Sequence, residues 1–120
     1  MSPLNLVIDL SSNWLSAEDE KLTSLLELSS LKKESLTLHR TFNLEPLDDC
    51  IHYFLDTDSK LNNCRILINN QLLNLSEKSS WGFDVTMLVW LHDNKIQLES
   101  NQMLSDLTWM KLTIVPCDEL

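Results

Sequence analysis

A single glycine, Gly82, serves a chain of 120 residues, where average usage would supply about eight. Glycine reaches positive φ without steric cost. Tight turns in this chain must therefore rest on Asn and Asp, which tolerate that region and hydrogen-bond their own backbone. The same scarcity removes whole classes of chemistry. A Walker loop, a dinucleotide fingerprint and a G-x-S-x-G nucleophile elbow each need more glycines than the chain has.

Hydrophobic periodicity then predicts the elements. Leu4, Leu6, Ile8 and Leu10 alternate with Asn5, Val7 and Asp9, the period of a strand with one buried face. Ser16 stands ahead of Ala17-Glu18-Asp19-Glu20, a hydroxyl and three acids suited to the free N–H groups and positive dipole of a helix start. With Leu22, Leu25 and Leu26 as an inward stripe and Lys32 and Lys33 at the far end, a helix is expected over about 17–33. Leu36–Phe42 alternates loosely and predicts a strand, with Arg40 a misfit on its apolar face that suits a sheet edge. Pro46 then precedes Leu47, Cys50, Ile51, Phe54 and Leu55. Proline fits a first helical turn, and the spacing i, i+3, i+4, i+7, i+8 predicts a second helix with one apolar stripe.

Strand patterns follow. Cys64–Ile68 and Gln71–Leu75 flank Asn69-Asn70, a hairpin signal. Phe83–Leu91 is rich in β-branched and aromatic residues. Lys95–Glu99 follows an Asp93-Asn94 turn, and Leu107–Val115 is closed by Pro116. Residues 1–120 are expected to form one domain. Its class is expected to be α+β: a mostly antiparallel sheet, β-α-β-α and then a C-terminal meander, with two helices packed on one face.

The three cysteines, Cys50, Cys64 and Cys117, are odd in number and lack a C-x-x-C spacing, so zinc-ribbon and thioredoxin-type readings fail. Reduced thiols in a cytoplasmic protein are expected, with Cys50 and Cys64 in the core. No basic segment opens the chain, so no targeting leader is expected, and no apolar run approaches the roughly 20 residues of a membrane span. The terminal Cys117-Asp118-Glu119-Leu120 resembles an endoplasmic-reticulum retention tail, and Asn74-Leu75-Ser76 is a glycosylation sequon. Both are read as chance in a chain without a leader. His39, His52 and His92 are far apart in sequence, so no metal or cofactor is expected unless distant residues meet in space. Asp56-Thr57-Asp58 begins like a calcium loop. Lys60, Leu61 and Leu67 then occupy positions that need a ligand, a turn glycine and a bidentate glutamate. On a helix, Asp48 and Asp49 diverge, and Cys50 and His52 do not face one another. No catalytic residue is assigned, and the chain is not expected to be an enzyme.

Charge sets the functional expectation. Eighteen Asp and Glu against nine Lys and Arg give a net charge of −9. Such a surface repels phosphate backbones and attracts basic ones, so a basic protein partner is expected, with no direct nucleic-acid or membrane binding. Between Thr41 and Ser59 stand Glu45, Asp48, Asp49, Asp56 and Asp58 with no Lys or Arg. Asp48, Asp49, Asp56 and Asp58 are the first candidates for a docking face, followed by Glu45 and by Trp81 as an exposed aromatic anchor. Trp90 and Trp109 are expected in the core. The leading expectation is a small acidic binding module that neutralises or escorts a basic partner, an immunity or inhibitor type acting on a nuclease toxin or nucleic-acid-binding effector. The alternative is a structural or regulatory subunit of a larger assembly, joined by an apolar interface.

Overall fold

The computed structural model describes residues 6–16, 22–29, 36–44, 50–58, 64–76, 78–100 and 107–119. Its strands are β1 (Leu6–Asp9), β2 (Trp14–Ser16), β3 (Leu22–Thr23), β4 (Leu36–Phe42), β5 (Ile51–Thr57), β6 (Cys64–Ile68), β7 (Gln71–Leu72), β8 (Phe83–Asp84), β9 (Asn94–Ser100) and β10 (Met110–Pro116). One five-residue helix, α1 (Leu25–Ser29), and a final 3-10 turn, Cys117–Glu119, complete the described elements.

The strands form two antiparallel sheets. One has the order β1-β10-β5-β8, the other β3-β2-β4-β9-β6-β7. A single hydrophobic cluster takes side chains from both: Tyr53, Leu55 and Leu112 from the first, Leu38, Ile66 and Leu98 from the second. That arrangement is a β-sandwich, in which each sheet buries one face against the other.

The expected α+β class with two packed helices is therefore overturned. Within 17–33, Leu22–Thr23 pairs with β2, and among the described residues the helix is Leu25–Ser29; residues 17–21 and 30–33 lie outside the described residues. The acids after Ser16 resemble a helix cap, but three leucines are too small a stripe to hold a long helix without a partner face. The second expected helix is the central strand β5, paired with β10 on one side and β8 on the other. Tyr53, Leu55 and Thr57 are buried, and so is Phe54 on the opposite face. Burial on both faces erases the alternation that identifies a strand, and the leftover apolar spacing then mimics a helical stripe.

Other expectations meet the structure differently. β4 lies between β2 and β9, inside its sheet and not at an edge. Arg40 is tolerated there because its guanidinium donates to the Ser12 carbonyl; burial lowers its pKa, and Asp9 opposes that effect. Asn69 and Asn70 turn the β6–β7 hairpin with φ of 52° and 67°, the left-handed pair a tight type I′ connection requires. Asp93 turns at φ 58°, but β9 pairs with β4 and β6 and makes no hairpin with the segment before it. That segment is strand only at Phe83–Asp84.

Gly82 sits at φ 124°, and a Cβ there would stand 2.5 Å from the Leu55 carbonyl oxygen. The chain's one glycine thus occupies a position where both the backbone and the close approach of β5 demand it. Trp14 is fully buried and donates from Nε1 to the Leu10 carbonyl at 2.6 Å, which satisfies the one polar atom it brings into the core.

Candidate functional site

Glu45, Asp48 and Asp49 lie outside the described residues. Asp56, half-buried on β5, pairs with Lys78 Nζ at 3.2 Å and accepts from its neighbour Thr57 N–H at 3.0 Å. Asp58, just past β5, accepts from the backbone N–H of Thr108 at 3.0 Å and of Trp109 at 3.2 Å, and from the Thr108 hydroxyl. Burial works to raise the Asp58 carboxyl, but these hydrogen bonds outweigh it and hold the pKa below the ordinary carboxylate value. The carboxylate clamps the entry to β10. Trp81 is 37% exposed beside Gly82, and its N–H donates to Ser79 Oγ at 3.2 Å.

A run of exposed apolar side chains stands elsewhere. Met87 is 91% exposed, Trp90 55% and Leu91 48%, all within the segment between β8 and β9. Trp90 therefore departs from the expected core position, while Trp109 is half-buried. The segment is fixed at short intervals. Val85 N–H donates to the Tyr53 carbonyl at 2.9 Å, and Leu44 N–H donates to the Leu91 carbonyl at 2.8 Å. Asp93 N–H donates to Asn43 Oδ1 at 2.8 Å.

Between those points two buried amides hold it. Asn94, fully buried, accepts from Trp90 N–H at 2.6 Å and donates to the Trp90 carbonyl at 2.7 Å. Asn69 Nδ2 donates to the Leu88 carbonyl at 2.8 Å and to Asn94 Oδ1 at 3.0 Å, while its Oδ1 accepts from Lys95 N–H at 2.9 Å. A buried, mutually satisfied polar network of this kind fixes one conformation. Here it fixes a loop that presents methionine, tryptophan and leucine to solvent. Leu72 of β7, 59% exposed, and Met87 border a groove of about 360 Å³ that Asn74, Asp84 and Leu88 also line.

In the sequence Asn69 and Asp93-Asn94 read as turn formers only. Phe83–Leu91 reads as a strand because Val, Thr and Trp favour sheets. The signal against that reading is the unbroken run Met87-Leu88-Val89-Trp90-Leu91, which lacks the alternation of a half-buried strand.

A third feature lies on the outer face of the smaller sheet. Cys50 and Cys117 form a disulfide with Cα atoms 5.5 Å apart. They stand opposite one another, one step beyond the Ile51–Pro116 pair, with Cys117 N–H donating to the Cys50 carbonyl at 3.0 Å. The expected reduced core thiol at Cys50 is thus corrected: the residue is exposed and bonded. Cys64 is half-buried and packs against the core, outside the disulfide. On a strand, residues two apart share a face, so His52 lies on the side of Cys50, where a helix would have separated them. His52 Nδ1 is 3.5 Å from Thr86 Oγ1 and 3.9 Å from Asp84 Oδ2. Burial raises the Asp84 carboxyl, but hydrogen bonds from Thr86 and the nearby His52 bring it below its ordinary value.

The fold and its loop define an antiparallel β-sandwich that displays apolar side chains on a fixed connection. No protein-family model matches the chain, and no curated protein does. Among solved structures, an FMN-binding beta-glucuronidase from Facaelibacterium prausnitzii L2-6 is similar, with a TM-score of 0.65 and 16% identity over 96% of this chain. The match spans 23% of that protein, and at this identity the likeness is one of fold.

Proposed function

We propose that the chain is a non-catalytic protein-binding module that joins a larger assembly through the loop carrying Met87, Trp90 and Leu91. The observation that carries this reading is an exposed apolar trio on a backbone held by buried Asn69 and Asn94. Large apolar side chains shown to water on a rigid support are the usual anchors of interfaces, and rigidity lowers the ordering cost of docking. The fold likeness adds modest support, since the similar structure uses this fold as less than a quarter of a longer chain. Neither FMN binding nor glucuronide chemistry is carried over from it.

The net charge of −9 and Asp84 and Asp93 beside the loop favour a partner whose apolar slot is bordered by basic residues. A second reading rests on that charge alone: an inhibitor or immunity-type module that blocks a basic partner electrostatically. Cytoplasmic placement belongs to the same proposal. In a reducing cytosol Cys50 and Cys117 would stand as thiols, whereas an oxidising compartment would keep them joined. No helix among the described residues is long and apolar enough to cross a membrane.

The test compares wild-type chain with the double variant Met87→Ser/Trp90→Ser as baits in parallel, at low salt and near 0.5 M. Apolar docking predicts a partner retained by wild type at both salts and lost by the variant. A partner eluted by salt and retained equally by both baits would replace this reading with the electrostatic one.

A further inference from the structure

We infer that Cys50, Cys117 and His52 form a zinc-binding site once the disulfide is reduced. One ligand atom from each of the three residues lies within 4.8 Å of the others. Tetrahedral coordination, with Zn–S near 2.3 Å and Zn–N near 2.0–2.1 Å, needs the two sulfurs further apart than a disulfide holds them, so the site forms only once that bond is broken. The backbone already fixes the spacing. Cys50 and Cys117 face each other across the β5–β10 ladder, and His52 is held by the same strand two residues on. Cys117 opens a 3-10 turn at the end of β10, so its sulfur can move away from Cys50 without breaking the ladder.

A second observation supports the assignment. Imidazole ligands of zinc almost always have a carboxylate, carbonyl or water on the other ring nitrogen, which fixes orientation and raises basicity. Asp84 and Thr86 stand beside His52 Nδ1 and would fill that role with Nε2 on the metal. Two soft thiolates and one imidazole suit Zn²⁺ over Mg²⁺ or Ca²⁺, and two thiolate charges cancel the charge of the ion. Three protein ligands leave a fourth position for water.

The chemistry has two steps. A thiol reductant, two equivalents of glutathione or one dithiol, breaks the Cys50–Cys117 bond by exchange. The disulfide takes up two electrons and two protons, and the reductant leaves as its own disulfide. Zn²⁺ then binds the two thiols and the imidazole with release of two protons. Disulfide and metal are thus alternative ways of tying β5 to β10.

The test is a Co²⁺ titration of the reduced chain under nitrogen, in a Cys64→Ser background so that sulfur bands come from this pair alone, with wild type alongside. One equivalent of Co²⁺ should give thiolate-to-cobalt absorption in the near ultraviolet and tetrahedral bands in the visible, displaced by Zn²⁺. The oxidised chain should give neither. His52→Ala should weaken binding by more than 10-fold, and Asp84→Asn by about 10-fold. If the reduced chain is unfolded without metal, Zn²⁺ should restore its far-ultraviolet spectrum, because binding and folding are then linked. Absence of cobalt–thiolate absorption in the reduced chain overturns the assignment. So does undiminished affinity in His52→Ala, or equal binding by the oxidised chain.

Discussion

Replacing Asn94 by alanine removes the centre of the network that holds the displayed loop. The side chain is fully buried and makes three hydrogen bonds, two with the Trp90 backbone and one with Asn69 Nδ2. A buried hydrogen bond contributes about 1 kcal/mol net, and a partner left unsatisfied costs about 1–3 kcal/mol. Trp90 itself is exposed, so water reaches part of its freed backbone and the lower figure applies. The sum is about 3 kcal/mol. Unfolding entropy near 2.1 cal/mol/K per residue gives about 250 cal/mol/K for this chain, so Tm should fall by about 12 °C. Urea denaturation should show a matching fall in midpoint at unchanged slope. Asn70→Ala is the control. It lies in the same hairpin turn but is exposed, with φ 67°, and should cost only the left-handed backbone preference, about 1 kcal/mol. Hydrogen exchange at the Trp90 amide should be slow in wild type and fast in Asn94→Ala. A loss under about 1 kcal/mol, or a Trp90 amide that exchanges freely in wild type, would refute the argument that buried amides fix this loop.

Other consequences can be measured on the isolated chain. The disulfide closes a sequence separation of 67 residues, and chain entropy for a loop of that length amounts to about 4 kcal/mol; Cys50→Ser/Cys117→Ser should lose up to that much stability in urea melts under oxidising conditions, and an unchanged midpoint would refute it. Gly82→Ala combines a φ of 124° with a 2.5 Å approach to the Leu55 carbonyl oxygen, so it should cost about 2 kcal/mol or more by thermal melting. Asp58 has a lowered folded-state pKa. Its stabilisation is therefore present above the unfolded value of about 3.9 and is lost as pH falls through the folded value. Urea midpoints measured on the acid side of pH 4 should drop more steeply in wild type than in Asp58→Ala, and parallel curves would contradict the clamp on Thr108 and Trp109.

Much of the sheet was legible in the sequence. β4, β9 and the inner positions of β10 alternate because one face meets the core and the other is more open. The β6–β7 turn was legible because Asn69-Asn70 is the chemistry a left-handed pair needs when glycine is scarce. β5 was not. Its two-sided burial leaves no period of two, and Pro46 ahead of it points to a helix start. The false helix over 17–33 came from local cap chemistry with nothing to show what the leucines would face. The candidate site was less legible still. The acids chosen by charge density include Asp56, which meets Lys78, and Asp58, which holds the entry to β10. Cys50 and Cys117 are joined only by register, across a separation that no local spacing rule spans. Met87, Trp90 and Leu91 resembled strand residues because propensity scores composition, while their exposure is fixed by hydrogen bonds from Asn69 in the β6–β7 turn and Asn94 on β9.

The most direct test of the binding proposal is a hydrogen-exchange footprint of the chain with its captured partner, read against the free chain. Docking through the displayed loop predicts added protection concentrated in residues 86–93 and at β7 across the groove. Protection centred instead on residues 45–58, with the 86–93 segment unchanged, would contradict it and assign binding to the acidic stretch.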